Sequence, residues 1–268
     1  MSTGLAFPDI SPIAFKIGFF VVRWYALAYI FGILATWGLV SKMNQKEKES
    51  LSSKQLENFV TYAIIAILLG GRLGYVLFYH FSYYLQNPLH IFFLWEGGMS
   101  FHGALCAFIG ALFIFCAKEK IALFRFSDMI AAVAPVGLFL GRIANFINGE
   151  LYGRTTNVPW GVRFPNGGSV PRHPSQLYEA FLEGIVLFIL LNTLWWFVPK
   201  IRNKHGFISG LFLCLYSLFR AFIELFREPD EQLGFFWNHL TMGQILCLPM
   251  FLGGILLIFL SYKGKQNG

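Results

Sequence analysis

Apolar residues run almost unbroken for about 20 positions at a time through this chain, with short polar segments between the runs. A helix rises about 1.5 Å per residue, so about 20 residues match a hydrocarbon core about 30 Å thick. The pattern predicts seven membrane-spanning helices, over 17–40, 57–80, 98–117, 128–148, 177–198, 207–228 and 241–261. The longest segment between runs, 149–176, is rich in Gly, Pro and Asn (Asn157, Pro159, Gly161, Pro165, Asn166, Gly167, Gly168, Pro171 and Pro174). It is too polar to span and too broken for a long helix, and it reads as a small external cap. Residues 81–97 carry Phe81, Tyr83, Tyr84, Phe92, Phe93 and Trp95, which suit a segment lying along the headgroups. No internal repeat or low-complexity tract divides the chain. Residues 1–268 are expected to form a single all-α transmembrane domain.

Composition supports this reading. Hydrophobic residues make up 56% of the 268 positions, aromatics 18% and charged residues only 13%, where a soluble domain has about a quarter charged. The formal charge of +7 does not point to nucleic acid, because of where the basic residues lie. Lys42, Lys46, Lys48 and Lys54 follow the first span, Lys118, Lys120 and Arg125 the third, Lys200, Arg202 and Lys204 the fifth, and Lys263 and Lys265 the last. Only Lys16, Arg154, Arg163 and Arg172 fall on the opposite side. The positive-inside rule then places the N-terminus outside and the C-terminus in the cytoplasm. No basic leader precedes a small-residue cleavage site, so the first span is expected to remain in place. Cys106, Cys116, Cys214 and Cys247 sit in apolar runs without metal-ligand spacing and read as small buried hydrophobes.

Five arginines fall inside the expected spans: Arg23, Arg72, Arg142, Arg220 and Arg227. With the orientation above, each lands in the outer half of the bilayer, together with Tyr25, Tyr75, Tyr79, His102, Asn145, Glu179, Glu183 and Glu224. The inner stretches 28–40, 107–117, 186–198, 207–219 and 248–260 carry no charge. A mid-span arginine facing lipid costs roughly 2.5–3.5 kcal/mol. The five must face one another, water or a charged ligand, in a polar basin that opens outward over an apolar floor. A channel or carrier would need a polar path across the midplane, and a scramblase a groove reaching the inner leaflet.

The densest polar stretch is Gly141-Arg142-Ile143-Ala144-Asn145-Phe146-Ile147-Asn148-Gly149-Glu150-Leu151-Tyr152-Gly153, at the mouth of the fourth span. Tyr216, Arg220, Glu224 and Arg227 recur at helical spacing on the sixth span. They read either as anion receptors partly neutralised by Glu224 or as an ion pair joining helices. Arg72, Tyr75 and Tyr79 form a similar stripe on the second span, which reads equally as interfacial packing. Forked guanidinium bonds suit a phosphate better than lysine does. Glu150 repels phosphate, so it suits orienting an arginine, binding a hydroxyl or capping the loop. His102 is the natural base for a thiol or hydroxyl proton, with a tyrosine or water as the alternatives. His173 faces the basin from the loop, Pro174 suits the start of the fifth span and Ser175 its cap. The chain has no GxSxG elbow, no aspartate cluster for Mg²⁺ and no Cys/His set for zinc. From the residues alone, this is an enzyme acting on anionic lipid headgroups, with a non-catalytic lipid-binding protein or another headgroup transferase or hydrolase as competing classes.

The stretch from Gly141 to Gly153 resembles the signature of the bacterial phosphatidylglycerol–prolipoprotein diacylglyceryl transferases. Trp24-Tyr25, Gly70-Gly71-Arg72-Leu73-Gly74-Tyr75-Val76, Gly97-Gly98-Met99-Ser100-Phe101-His102-Gly103, Arg172 to Glu179, Arg220 to Asp230 and Met242-Gly243-Gln244-Ile245 resemble the family in the same order. The segment 153–172 is shorter than in members with an extended periplasmic arm. The resemblance implies transfer of diacylglycerol from phosphatidylglycerol to the lipobox cysteine of a prolipoprotein signal peptide, without cofactor or metal. It implies a multi-pass protein of the bacterial cytoplasmic (inner) membrane with its site toward the periplasmic leaflet. For displacement at the glycerol carbon, His102, Arg142, Arg220, Glu150 and Tyr25 are the expected catalytic residues, and by resemblance Arg142, Asn145 and Gly153 belong to the family's phosphatidylglycerol-handling core. Arg142, Asn145, Gly153, Arg220, Tyr216 and Glu224 are expected to hold phosphatidylglycerol.

Overall fold

The computed structural model describes residues 4–18, 20–47, 50–229 and 240–263; Lys48, Asp230 and Lys265, used in the charge pattern and motifs above, lie outside the described residues. The described chain is mostly helical. Six helical stretches are long and apolar enough to cross a membrane. Four are single helices: α1 (Trp24–Asn44), α2 (Ser53–Phe78), α4 (Phe101–Glu119) and α5 (Leu123–Ile147). The fifth is a rod over Ser175–Phe197, made of α6 (Ser175–Glu179), a π-helical turn (Ala180–Val186) and α7 (Leu187–Phe197). After the short α8 (Pro199–Arg202) comes α9 (Phe207–Ile223), apolar but only 17 residues long, and then the sixth, α10 (Met242–Lys263). A short α3 (Phe81–Gln86) follows α2.

Three expectations need correction. The apolar run at 17–23 is not the start of a span: β2 (Ile13–Ile17) and β3 (Phe20–Arg23) pair antiparallel, and α1 begins only at Trp24. Arg23 therefore ends a strand instead of lying within a helix. Alternation in a short apolar run and the first turn of a span look alike in sequence, and only the glycine between the strands, Gly18 with φ +58°, marked the turn. The helix expected over 207–228 ends at Ile223, which leaves Arg227 beyond it. The chain also carries a second, parallel strand pair, β1 (Leu5–Ala6) with β4 (Val162–Arg163), so it is not wholly α-helical.

The chain divides into two compact units, Ser41–Ser127 and Met1–Val40 with Asp128–Gly268. In the first, α2 and α4 meet backbone to backbone. A Cβ on Gly70 would collide with Ala107 Cβ and with the Gly103 carbonyl oxygen, and one on Gly103 would lie 2.9 Å from Gly74 Cα. Gly70-x-x-x-Gly74 thus faces Gly103-x-x-x-Ala107, the small-residue packing that lets helices approach closely in lipid. Ser52 and Gln55 form a capping box at the start of α2.

Arg72 is committed to main-chain carbonyls in this unit. It is 3% exposed and donates to the carbonyls of His90 (2.5 Å), Ile91 (2.9 Å), Phe93 (3.2 Å), Gly98 (3.3 Å) and Gly97. A planar fork of five N–H groups is suited to gathering the unpaired carbonyls of an irregular segment. The segment it gathers presents Leu89, Phe92 and Trp95 outward, each more than 70% exposed.

In the second unit, Asp128 of α5 closes the N-terminus of α9. Its carboxylate accepts from Gly206 N, Ser209 N and Ser209 Oγ, all at 2.7 Å, and the side chain is 3% exposed. Helix N-termini leave N–H groups unpaired and favour a negative charge. Asp128→Ala is expected to lower stability by about 3 kcal/mol, a fall of roughly 5–10 °C in the melting temperature in detergent. Asp128→Asn should restore part of it, and an unchanged melting curve would refute the role. Pro135 lies within α5 and has no N–H to give the Ala131 carbonyl; nearby, Asn192 of α7 donates to the Ala132 carbonyl (2.7 Å) and ties the rod to α5. Gly184 in the π turn lets the rod pack on α5, because a Cβ there would lie 2.7 Å from Phe139 Cβ. Gly210 and Gly254 do the same between α9 and α10.

Candidate active site

On α9, Tyr216 and Arg220 share a face with Glu224, which stands at the helix's C-terminal boundary. Arg220 Nη2 lies 2.6 Å from Glu224 Oε1, and Arg227 Nη1 lies 3.6 Å from the same oxygen. The other Glu224 oxygen accepts from Thr241 Oγ1 at 2.8 Å. Thr241 also caps α10, with Gln244 N donating to its hydroxyl at 3.2 Å and its own N–H donating to Gln244 Oε1 at 3.1 Å. Glu224 therefore meets the positive end of α10. Gly243 leaves room for it, since a Cβ there would lie 2.5 Å from Glu224 Oε1.

The rod supplies two more carboxylates. Glu179 Oε2 lies 2.5 Å from Arg142 Nε and 3.1 Å from Arg220 Nη1, so one oxygen joins arginines from α5 and α9. Glu183 stands 3.9 Å from Arg142 Nη2 and 3.9 Å from Arg220 Nη1. Both carboxylates have no exposed side-chain surface. The sequence reading gave the arginines one neutralising partner, Glu224; the structure sets Arg142, Arg220 and Arg227 against Glu179, Glu183 and Glu224. Buried charges require such pairing. Arg142 commits only its Nε edge at hydrogen-bonding distance. Among the described residues, Nη1 and Nη2 make no hydrogen bond, and the side chain is 18% exposed. That free edge is the shape that grips a phosphate bidentately.

The loop leaving α5 seals one flank. Asn145 donates to Glu150 Oε1 at 2.8 Å and Asn148 to the same oxygen at 3.2 Å, so the described partners of Glu150 are amides and no arginine. Gln176 Nε2 donates to the Glu150 carbonyl at 2.6 Å. Gly153 N–H donates to the His173 carbonyl at 2.8 Å, and Gly153 bridges to Arg227. A Cβ at Gly153 would strike the Phe226 carbonyl oxygen and lie 2.8 Å from His173 Cβ, so only glycine fits there. Arg154 ties the loop to the end of α9, with Nε donating to the Arg227 carbonyl (2.9 Å) and Nη2 to the Glu224 carbonyl (3.1 Å).

A family model for prolipoprotein diacylglyceryl transferase matches residues 12–260, a stretch that contains every side chain of this cluster. The chain belongs to the prolipoprotein diacylglyceryl transferase family. It is 54% identical over 254 residues to the phosphatidylglycerol–prolipoprotein diacylglyceryl transferase of Rickettsia felis, covering 95% of this chain and 98% of the relative. The enzymes of that name from Rickettsia akari and Rickettsia bellii are 53% and 54% identical over 95% of this chain, with 98% and 96% of their own lengths covered.

Within this transferase-family member, the expected site residues divide. Arg142, Arg220 and Glu224 enter one ion-pair network; Asn145, Glu150 and Gly153 build the loop beside it. Tyr216 stacks on Phe212 (ring centroids 5.8 Å apart). Tyr25, in the first turn of α1, has Tyr29 as its described ring partner at 5.2 Å. His102 lies in the other unit, in the first turn of α4, exposed and with Phe101 as its described ring partner. Ser175 does not cap the rod; its hydroxyl donates to the Leu151 carbonyl (3.1 Å). His173 Nδ1 lies 3.1 Å from Tyr178 Oη, which accepts from Trp160 Nε1 at 2.8 Å; burial pushes the imidazole pKa below its usual value. Sequence reasoning set Glu179 and Glu183 in the polar basin but named no role in the site for them, nor for Gln176 and Thr241. The first three were detectable as polar residues at intervals of three and four in an apolar helix. Thr241 carried no such signal.

Proposed function

We propose that this chain is a phosphatidylglycerol–prolipoprotein diacylglyceryl transferase of a bacterial cytoplasmic membrane, performing the first step of lipoprotein maturation. It acts as a single catalytic domain with seven spans, α9 being the short one. The N-terminus is outside, the C-terminus cytoplasmic, and the segment 149–176 caps the site at the periplasmic leaflet. The observation that carries the reading is the convergence of Arg142 and Arg220 on one oxygen of Glu179. That oxygen brings together guanidiniums from two helices, the pair that would share a phosphodiester, with the Nη1/Nη2 edge of Arg142 still open.

In the proposed reaction, the thiol sulfur of the lipobox cysteine attacks the carbon of the diacylglyceryl group that bears the phosphate. The C–S bond forms as the C–O bond breaks, the thiol proton passes to a base, and glycerol 1-phosphate leaves with the bonding pair. His102 is the proposed base. Arg142 and Arg220 stabilise the charge that grows on the departing phosphate. Asn145, Glu150 and Gly153 shape the headgroup wall, while Tyr25, Tyr216 and Glu224 position the lipid and the arginines.

The test uses the purified protein in detergent with phosphatidylglycerol and a synthetic lipobox peptide. Peptide mass and glycerol phosphate release are followed together. A diacylglyceryl gain on the peptide, absent when its cysteine is replaced by serine, is expected. Glycerol phosphate released without peptide modification would make the protein a lipid hydrolase, and lipid binding without any product would make it a binding protein.

A further inference from the structure

The cluster carries unmet hydrogen-bonding capacity of both signs. The donors are Nη1 and Nη2 of Arg142. The acceptors lie on the rod: Gln176 Oε1, Glu179 Oε1 and both oxygens of Glu183 are buried and have no hydrogen-bond partner among the described residues. Gln176, Glu179 and Glu183 are each 0% exposed and lie at intervals of three and four, so they share a face of the rod. Buried acceptors without donors are costly and uncommon in folded proteins. The 3.9 Å separations between Glu183 and the two arginines are too long for hydrogen bonds, although they keep the charges paired. Donors are what this face lacks.

We propose that these four oxygens are the hydroxyl-reading part of the site, accepting from the free hydroxyls of the substrate's headgroup glycerol while Arg142 and Arg220 hold its phosphate. This rests on the transferase reading and adds which atoms select the headgroup. A polyol phosphodiester supplies acceptors for the guanidinium edge and O–H donors for the carboxylates, matching both deficits. The carboxylates are already balanced by Arg142, Arg220 and Arg227, so an ammonium headgroup would gain little and would sit against three guanidiniums. The arginines are the partly exposed members, at 18% and 11%, and the acceptors are the covered ones. A headgroup approaching from the exposed side would therefore meet the guanidiniums before the acceptors.

The experiment compares two diacylglyceryl donors of identical acyl chains, phosphatidylglycerol and phosphatidylethanol, which lacks headgroup hydroxyls, with the lipobox peptide and full-length protein. For the wild type, kcat/KM with phosphatidylethanol is expected to be lower by on the order of 100-fold, since a site built to bond a hydroxyl strongly rejects the analogue without it. In Glu183→Gln and Gln176→Leu the ratio between the two lipids should shrink toward one. Equal use of both lipids by the wild type would overturn the proposal and leave the transferase reading intact. So would a ratio that both variants preserve. No transfer from either lipid would overturn the transferase reading and this inference with it. The wild-type comparison needs no variant to fold.

Discussion

Glu179→Ala is expected to lower stability by about 3–5 kcal/mol and to abolish diacylglyceryl transfer. The size follows from what the carboxylate holds: one of its oxygens pairs Arg142 and Arg220 at 2.5 and 3.1 Å, in a position with no exposed surface. Removing one member of a buried ion pair leaves the other charges uncompensated, which costs far more than the pair contributes when complete. Glu183, 3.9 Å from each arginine, is too distant to replace those bonds. Glu179→Gln should cost less stability, because the amide still offers an oxygen, yet should lose much of the transfer rate as the arginines drift apart. Thermal melts in detergent and the peptide assay measure the two effects separately. A stable, active Glu179→Ala protein would show that the arginines hold their places without it.

The second large effect is expected at Arg142. Arg142→Ala should lower kcat/KM by about 10³-fold, the scale for removing a preorganised group that stabilises developing charge. Arg142→Lys should recover only part of this, because an ammonium cannot bond Glu179 through one edge and a phosphate through the other. If the guanidinium acts on charge that grows as glycerol phosphate departs, the loss appears in kcat; a loss confined to KM would mean that it binds lipid and transition state equally. Steady-state kinetics over a range of phosphatidylglycerol concentrations decide between these.

Much of this organisation was legible before any coordinates, for identifiable reasons. A membrane span must be apolar for about 20 residues, so the spans stand out, and a charge inside one is expensive enough that Arg142, Arg220 and Glu224 marked themselves as a group. The same argument left Arg72 open between an anion receptor and interfacial packing. An arginine within a span announces that it has partners but not what they are, and its five bonds go to main-chain carbonyls of residues 90–98, which have no side-chain signature. The hairpin over 13–23 was hidden because an apolar run does not declare its period when it is short. The division of three arginines among three glutamates could not be read either, because pairing depends on which helix faces which. The clash that forbids a side chain at Gly153 depends on Phe226, far along the sequence.

The π turn at Ala180–Val186 gives the rod a consequence beyond its own hydrogen bonds. An α-helix advances about 100° per residue, and each residue accommodated by a wider turn sets everything after it back by about that angle. Gln176 and Glu179 lie before the turn and bond the loop after α5 and the arginines, whereas Asn192 lies after it and bonds the Ala132 carbonyl of α5. The two ends of the rod are thus keyed to different neighbours through one phase offset, like the two bits of a single key. A one-residue deletion anywhere in 180–186 would keep every one of these side chains and still leave the rod able to satisfy only one lock at a time.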